Sequence, residues 1–183
     1  GHGSGSLVVY KGTQFVITAQ HVASGEIGST YITKKDKEAT ASVLIYSDSE
    51  NDIAVLLPKN SFSTIEPMKF LPTRDIPDVG DQITYSGYPS SHDIMTYRGR
   101  VAGFETIPRG GKQILLHTFG WFGCSGSVVF DSAGRIVGVL WGIDSLSGMP
   151  VESMIWVSPI QNLDMDVAIG EICTTSTEIR ACR

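Results

Sequence analysis

Short apolar runs separated by turn-forming residues recur along almost the whole chain, and this rhythm constrains the fold more than any other feature. The runs are rich in β-branched and aromatic residues, and Gly, Pro, Asn, Asp or Ser interrupts them roughly every ten residues. Such a pattern predicts an all-β protein. The predicted strands are 7–10, 14–18, 30–33, 39–46, 52–57, 82–88, 94–104, 113–118, 127–130, 135–142 and 153–157.

The predicted strands form two groups, which indicates two barrels or sandwiches. The segment between them, 66–81, contains Pro67, Pro72 and Pro77, and prolines interrupt strand pairing. We therefore place the boundary near residue 75. The expected domains are 1–75 and 76–170, followed by a tail at 171–183.

One helix is expected over 158–169, at the end of the second domain. Ser158 is a suitable N-cap, and Pro159 is favoured at a first helical position. The pattern ends at Gly170, and three apolar residues share one face of the predicted helix: Ile160, Leu163 and Val167.

Composition limits the classes of partner. The chain has 183 residues, 42% of them hydrophobic, which is enough for a core, and a net charge of −5. Its longest basic cluster, 34–37, is interrupted and predicts a solvated turn, so no nucleic-acid partner is expected. No apolar run approaches the roughly 18 residues of a membrane span, so membrane contact is expected only through regions outside this chain. No metal or cofactor is expected either.

The chain has three cysteines, too few for a disulfide scaffold. Cys124 lies within a Gly/Ser-rich motif, which leaves Cys173 and Cys182 as the only plausible disulfide. The cellular compartment stays open on this evidence.

Two polar residues stand beside apolar strands in the first group. His21 follows the run 15–18 through a small Ala19, a position suited to a general base. Asp52 begins a run that is apolar on both faces, so its carboxylate can orient an imidazole while partly hidden from water. Asp48 competes for this role but lies further from the apolar run.

The second group contains the turn Gly123-Cys124-Ser125-Gly126. A glycine-flanked turn can expose a serine hydroxyl and direct two backbone N–H groups toward one point, as acyl transfer requires. Each of the three signals is weak alone. Together they give a base, an orienting carboxylate and a nucleophile in the order His21, Asp52, Ser125.

These motifs resemble those of the chymotrypsin-like (trypsin-fold, PA clan) serine proteases. The sequences "TAQH" at 18–21, "NDIAVLL" at 51–57 and "GCSGS" at 123–127 are similar to the family's histidine, aspartate and nucleophile signatures. Residues 80–89, 131–142 and 156–160 also resemble family segments. The resemblance implies two antiparallel six-stranded β-barrels, with the active site in the cleft between them.

Carried over residue by residue, the resemblance makes Ser125 the nucleophile, His21 the base and Asp52 the group that orients the base. The N–H groups of Gly123 and Ser125 would form the oxyanion hole. The strand residues Leu140, Trp141 and Gly142 would pair with the substrate backbone as an added β-strand. Cys124, beside the nucleophile, would point away from the substrate.

The resemblance also implies a specificity pocket with Phe119 at its floor and Gly120, Trp121 and Phe122 at its entrance. None of these residues is charged, which favours an apolar substrate side chain. Two alternatives stay open. Glu152, if it faced inward, would favour Lys or Arg, and His117 would select Glu or Gln.

One departure from the family bears on regulation. Cys124 stands where the digestive members carry an aspartate that pairs with a newly cleaved N-terminus, so that activation switch is absent. The sequence therefore resembles the compact viral polyprotein-processing and bacterial heat-shock-type members.

We expect a viral serine endopeptidase that processes a polyprotein. The compartment stays open: it would be the host-cell cytoplasm for a viral enzyme. The alternatives are a secreted or periplasmic bacterial protease, a catalytically silent peptide-binding module, and an enzyme that cuts only in cis.

Overall fold

The computed structural model describes residues 2–23, 30–32, 38–108 and 111–183. Every predicted strand is present, although the predicted end at Thr33 and the predicted turn 34–37 lie outside the described residues. The described part of the chain contains no helix long and apolar enough to cross a membrane.

The first half forms one six-stranded sheet. Its strands are listed in chain order: β1 (Gly5–Tyr10), β2 (Thr13–Thr18), β3 (Thr30–Ile32), β4 (Ala39–Asp48), β5 (Ile53–Pro58) and β6 (Met68–Lys69). The spatial order is β3-β4-β5-β2-β1-β6, so β2 and β5 are central and pair antiparallel. Residues 15–18 of β2 and all of β5 except Leu57 are buried, which agrees with the apolar runs in these two strands.

The first sheet is not closed, which corrects the prediction of a first six-stranded barrel. Its edge strand β6 has two residues and runs parallel to β1, so the sheet is also not wholly antiparallel. Pro67 and Pro72 flank β6 and supply no N–H for a longer ladder. Beyond β6 the chain bonds to the second half instead, where Thr73 N–H donates to the Ile136 carbonyl at 2.7 Å.

The second half is a closed six-stranded barrel, as predicted. Its strands are β7 (Gln82–Gly87), β8 (Met95–Ile107), β9 (Gly111–His117), β10 (Val128–Asp131), β11 (Ile136–Leu146) and β12 (Met149–Pro159). Pairing of β10 with β7 closes the order β10-β11-β12-β9-β8-β7. The interior is filled by aliphatic side chains around the fully buried Tyr85.

A second apolar cluster joins the two halves. It combines Phe15 and Ile53 of the first sheet with Val128 and Val139 of the barrel and Ile169 of the C-terminal helix. All these side chains are almost fully buried. The outer face of the barrel is thus packed on the first sheet, which holds the residues of the two halves in fixed relation.

The predicted helix 158–169 is wrong at both ends. Ser158 lies in β12, fully buried and paired with Val139, because the apolar run that precedes it continues as a strand. The helix α2 spans Met165–Thr175 and is capped by Asp164, whose carboxylate accepts the N–H groups of residues 166 and 167. Its register leaves Val167 exposed rather than buried.

The residues predicted as a tail are packed against the fold. Helix α2 continues to Thr175. The sequence left open whether Cys173 and Cys182 pair, and they form a disulfide with a Cα–Cα distance of 5.1 Å. Ala181 is buried, and its N–H donates to the Thr13 hydroxyl of β2 at 2.9 Å. The C-terminal segment therefore stabilises the first sheet.

Candidate active site

His21 lies on a single helical turn, α1 (Gln20–Ala23), directly after β2. The carbonyl of Ala19 accepts the N–H groups of Val22 and Ala23, at 3.2 Å each, and so closes this turn. Ala19 and Ala23 are buried, whereas the His21 side chain is about half exposed, at 49%. The strand end therefore presents the imidazole at the surface while its backbone is fixed.

Asp52 is the partner of His21. Its Oδ2 lies 2.6 Å from His21 Nδ1, and its Oδ1 accepts the backbone N–H of His21 at 2.8 Å. The Asp52 carbonyl also accepts the Gln20 N–H at 3.1 Å. The backbone of Asp52 has a φ of 53°, and its side chain is only 19% exposed. One carboxylate oxygen thus holds the imidazole, and the other holds the backbone of His21.

This pairing changes the acid–base behaviour of the imidazole. The hydrogen bond that His21 donates to the Asp52 carboxylate raises the pKa of His21 above its ordinary value. Partial burial opposes this shift, and the charge of the carboxylate adds to it. Because Nδ1 is engaged by Asp52, transfer of a substrate proton falls to Nε2.

Asp48, the competing carboxylate, has a structural role. Its Oδ1 accepts the N–H groups of Glu50 and Asn51 at 2.9 and 3.0 Å, and its Oδ2 accepts the Asn51 side chain. These bonds build the turn between β4 and β5, a common use of aspartate. The turn in turn places Asp52 at the start of β5.

Ser125 lies on a compact turn between β9 and β10. Gly123 and Gly126 have φ values of 100° and 94°, a backbone conformation that side chains disfavour. Three hydrogen bonds close the turn: Cys124 N–H to Trp121 O, Ser127 N–H to Cys124 O, and Gly126 N–H to Leu140 O, at 3.0, 3.1 and 2.7 Å. The turn is therefore shaped by backbone geometry.

The hydroxyl of Ser125 has a hydrogen-bond partner, whereas its backbone N–H has none among the described residues. The hydroxyl donates to the Trp141 carbonyl at 3.3 Å. Among the residues that the structure describes, the backbone N–H groups of Gly123 and Ser125 donate to no acceptor. Two unpaired N–H groups on one turn are suited to bind an oxyanion.

Cys124 points into the barrel. It is fully buried and belongs to the apolar interior with Tyr85. The Tyr85 hydroxyl donates to the Phe119 carbonyl, and burial raises the pKa of Tyr85. Cys124 is thus a core residue, which supports the expectation that it points away from substrate.

The turn 123–126 is called the nucleophile turn below, after the predicted role of Ser125. Strand β11 passes this turn and has an open edge there. Its residues up to Val139 pair with β10 on one side, whereas 142–146 pair only with β12 among the described strands. Trp141, half-buried, lies at the start of this open stretch and accepts the Ser125 hydroxyl. The open edge of β11 thus includes two of the residues that the resemblance assigns to substrate pairing, Trp141 and Gly142.

Leu140, the third strand residue predicted to pair with substrate, differs from the other two. Its side chain is 1% exposed in the barrel interior, its N–H donates to Ser127 O, and its carbonyl accepts the Gly126 N–H. Both backbone groups are used within the turn, so Leu140 has none to offer a substrate strand. The open edge begins one residue later.

The four predicted pocket residues form the loop from β9 to the nucleophile turn. Phe119 and Phe122 are 40% and 63% exposed, whereas Gly120 is buried. The Trp121 and Phe122 rings pack edge to face, with centroids 5.3 Å apart. The loop thus offers an apolar surface beside Ser125.

Phe119 also lines a cavity of about 460 Å³ together with His117 and Glu152, the two alternatives for specificity. Gly120, Trp121 and Phe122 are not part of its lining. Sequence reasoning missed the two cationic residues of this cavity, Arg98 and Arg100. The only hint of this cavity in the sequence is the spacing of the two arginines, which stand two residues apart on β8 and so point to the same face of the strand.

No group of three or more His, Cys, Asp or Glu residues is arranged to hold a metal ion within the described ranges. Sequence reasoning also missed Ser4, which contacts the nucleophile turn from the start of the chain. Only its position between Gly3 and Gly5 hinted at a close approach of backbones.

Solved structures resemble this fold over most of its length. An inactive mutant form of Rv3671c from M. tuberculosis matches with a TM-score of 0.70 and 16% identity, covering 95% of this chain and 82% of that chain. The active form of the Rv3671c protease matches with 0.72 and 16%, covering 93% and 73%. The HtrA-type protease AlgW, solved with a decapeptide, matches with 0.75 and 22%, covering 93% and 51%.

Sequence comparison adds the family. No curated protein sequence matches the chain. Residues 3–139, well over half of the chain, match the family model described as a trypsin-like peptidase domain. That range contains His21, Asp52 and Ser125 and all of the first sheet. The chain belongs to the family of trypsin-like peptidase domains.

Proposed function

We propose that this protein is a serine endopeptidase that uses Ser125, His21 and Asp52. The observation that carries the proposal is the double hydrogen bond by which Asp52 fixes His21, at 2.6 and 2.8 Å. A carboxylate bound to Nδ1 orients an imidazole and stabilises its protonated form, as a general base in acyl transfer requires.

The reaction proceeds in two halves. Ser125 Oγ attacks the peptide carbonyl carbon while its proton passes to His21 Nε2, and the resulting oxyanion binds the N–H groups of Gly123 and Ser125. The C–N bond then breaks, the amine takes the proton from His21, and an acyl ester on Ser125 remains. Water, deprotonated by His21, hydrolyses this ester, and the proton returns to Ser125 Oγ.

Substrate binding follows from the open edge of β11. An extended peptide adds to that edge as a β-strand beside Trp141 and Gly142. The Ser125 hydroxyl must leave the Trp141 carbonyl and turn to His21, and their bond of 3.3 Å is long enough to break readily. Phe119, Gly120, Trp121 and Phe122 then favour an apolar side chain before the scissile bond.

A fluorophosphonate probe tests the nucleophile. We expect a mass increase confined to Ser125 in the wild-type chain, and no labelling and no peptide cleavage in Ser125→Ala. Intact-protein mass spectrometry and peptide mapping give the site. Ser127→Ala is the matched control, since it removes a hydroxyl two residues away and should label normally. Labelling of Ser125→Ala would contradict the assignment.

The biological role is a separate proposal. Processing of a viral polyprotein and cleavage of bacterial substrates both fit a trypsin-like peptidase domain, and the compared structures include bacterial proteases. We retain the division into domains 1–75 and 76–170 as part of this proposal, with the site between them. A chain extended at its C-terminus that cuts itself but not added peptide would indicate processing in cis.

A further inference from the structure

We propose that Ser4 is a positioning residue that holds the nucleophile turn in its reactive shape. The inference rests on the proposed function, because it concerns the oxyanion hole of the same site. Ser4 lies immediately before β1, in the first half of the chain, yet it contacts the turn at two places. Its side chain and backbone together are 4% exposed.

The contacts of Ser4 are all hydrogen bonds of good length. Its hydroxyl donates to the Gly123 carbonyl at 2.6 Å and accepts the Tyr88 N–H at 3.0 Å. Its backbone N–H donates to the Ser125 carbonyl at 2.7 Å. The Thr18 hydroxyl donates to the Ser4 carbonyl at 2.6 Å and so fixes Ser4 itself. Each polar group of Ser4 is therefore in use.

The peptide planes of the turn explain why these bonds matter. The N–H of a peptide unit points opposite to its carbonyl, so a fixed carbonyl fixes the direction of the N–H. The Ser90 N–H holds the Phe122 carbonyl at 2.7 Å, which sets the direction of the Gly123 N–H. Ser4 holds the next carbonyl, that of Gly123. Both planes that flank the flexible glycine are thereby fixed.

Gly123 needs this support because glycine moves between backbone conformations at little cost. A rotation about its own dihedrals would swing the Gly123 N–H away from the position shared with the Ser125 N–H. The Ser4 hydroxyl opposes such a rotation from one side and Ser90 from the other. Loss of one support should lower the population of the turn that can bind an oxyanion.

The site is also tightly packed around Ser4. A side chain at Gly126 would overlap the Ser4 carbonyl and the Thr18 hydroxyl, and one at Gly87 would come within 3.1 Å of Ser4 Oγ. Ser4 is therefore closely packed against the turn. It links the start of β1 to the nucleophile turn of the second half by hydrogen bonds to Gly123 and Ser125.

Ser4→Ala tests the role, because it removes both side-chain hydrogen bonds and keeps the backbone bond to Ser125. We expect kcat for a cleaved peptide and the rate of fluorophosphonate labelling to fall about 10-fold or more, with KM changed less than about 3-fold. The pH midpoint of activity should stay unchanged, since His21 and Asp52 are untouched. A loss of stability alone would not separate kcat from KM in this way.

Ser158→Ala is the matched control, because Ser158 is equally buried but its hydroxyl accepts only a long bond, 3.4 Å, from Asn162. It should label at the wild-type rate. Wild-type chain that does not react overturns the proposed function itself. Wild type that reacts, with folded Ser4→Ala reacting at the same rate, overturns only the role of Ser4.

A second variant covers failure of Ser4→Ala to fold. Thr18→Val keeps the shape of the side chain and removes only the bond to the Ser4 carbonyl. We expect about a 3-fold slower labelling rate, in the same direction as Ser4→Ala. An unchanged rate in folded Thr18→Val, where Ser4→Ala gives no folded protein, overturns the inference.

Discussion

The two parts of the site are held by different forces. His21 and Asp52, which follow β2 and precede β5 of the first sheet, are joined by a hydrogen bond between their side chains, and the imidazole is about half exposed. The turn around Ser125 is closed by backbone hydrogen bonds, and Gly126 in it is buried. A chemical change in the first part should therefore alter reactivity and spare the fold, whereas a change of shape in the second should damage both.

Asp52→Asn should give the largest effect and spare the fold. The amide keeps the size of the side chain but favours the wrong imidazole tautomer and removes the charge that stabilises the imidazolium, so kcat should fall about 10⁴-fold. Thermal unfolding should change little. Peptide-cleavage kinetics and calorimetry measure the two quantities.

Asp48→Asn is the control for that variant, because it makes the same chemical change in the turn between β4 and β5. It should leave kcat within about 3-fold and cost about 1 kcal/mol of stability through its weaker turn bonds. Equal losses of kcat in the two variants would contradict the assignment of Asp52 as the orienting carboxylate.

Gly126→Ala should damage fold and activity together. The φ of 94° is unfavourable for alanine, and the added Cβ would overlap the Ser4 carbonyl. We expect a loss of about 2–5 kcal/mol in the free energy of unfolding, together with loss of fluorophosphonate labelling. Chemical denaturation measures the first quantity.

Gly134→Ala separates strain from overlap. Gly134 has a φ of 77°, but nothing lies within 4 Å of the position that its Cβ would take. It should lose only about 1 kcal/mol and label normally. If Gly126→Ala and Gly134→Ala lost the same free energy of unfolding and labelled equally well, the close packing of Ser4 on the turn would contribute neither to stability nor to reactivity.

The pH dependence should report the first part of the site alone. Because Asp52 raises the pKa of His21, the imidazole stays protonated to a higher pH than a free one, and only its neutral form can act as base. The rate of cleavage should therefore rise with pH through a midpoint above about 6.5, the ordinary histidine value. A flat profile from pH 5 to 8 would remove His21 from the mechanism.

A residue's role could be predicted from the sequence where the evidence for it lies in the neighbouring residues. Asp52 could be preferred to Asp48 because it directly precedes an apolar strand, and the structure places it on His21. The helix start could not be predicted, because Ser158 is held in β12 by pairing with Val139 of the preceding strand β11, and strand pairing is not visible in the residues around Ser158. The open first sheet has the same cause, since β6 ends where the chain begins to bond to Ile136.

Ser4 shows the limit most clearly. Its flanking glycines hint at a close approach of another backbone but not at which one, and its hydrogen bond to Gly123 joins residues 119 positions apart. Leu140 shows it too, because a shift of one residue along β11 exchanges an open backbone edge for one used within the turn. A local sequence pattern predicts neither the contacts between distant segments nor the register of paired strands.

Ser127→Ala should give the smallest effect. Ser127 is fully buried beside the nucleophile turn, and its hydroxyl is the one buried side-chain polar atom without a hydrogen bond among the described residues. Removing an unsatisfied hydroxyl recovers its desolvation cost, so the free energy of unfolding should rise by up to about 1 kcal/mol. Activity should stay within about 3-fold, because the backbone bonds of residue 127 are kept. Denaturant unfolding and peptide cleavage test this, with Ser158→Ala as the comparison. A loss of stability would show that the Ser127 hydroxyl has a partner, and the turn would then depend on a second side chain besides that of Ser4.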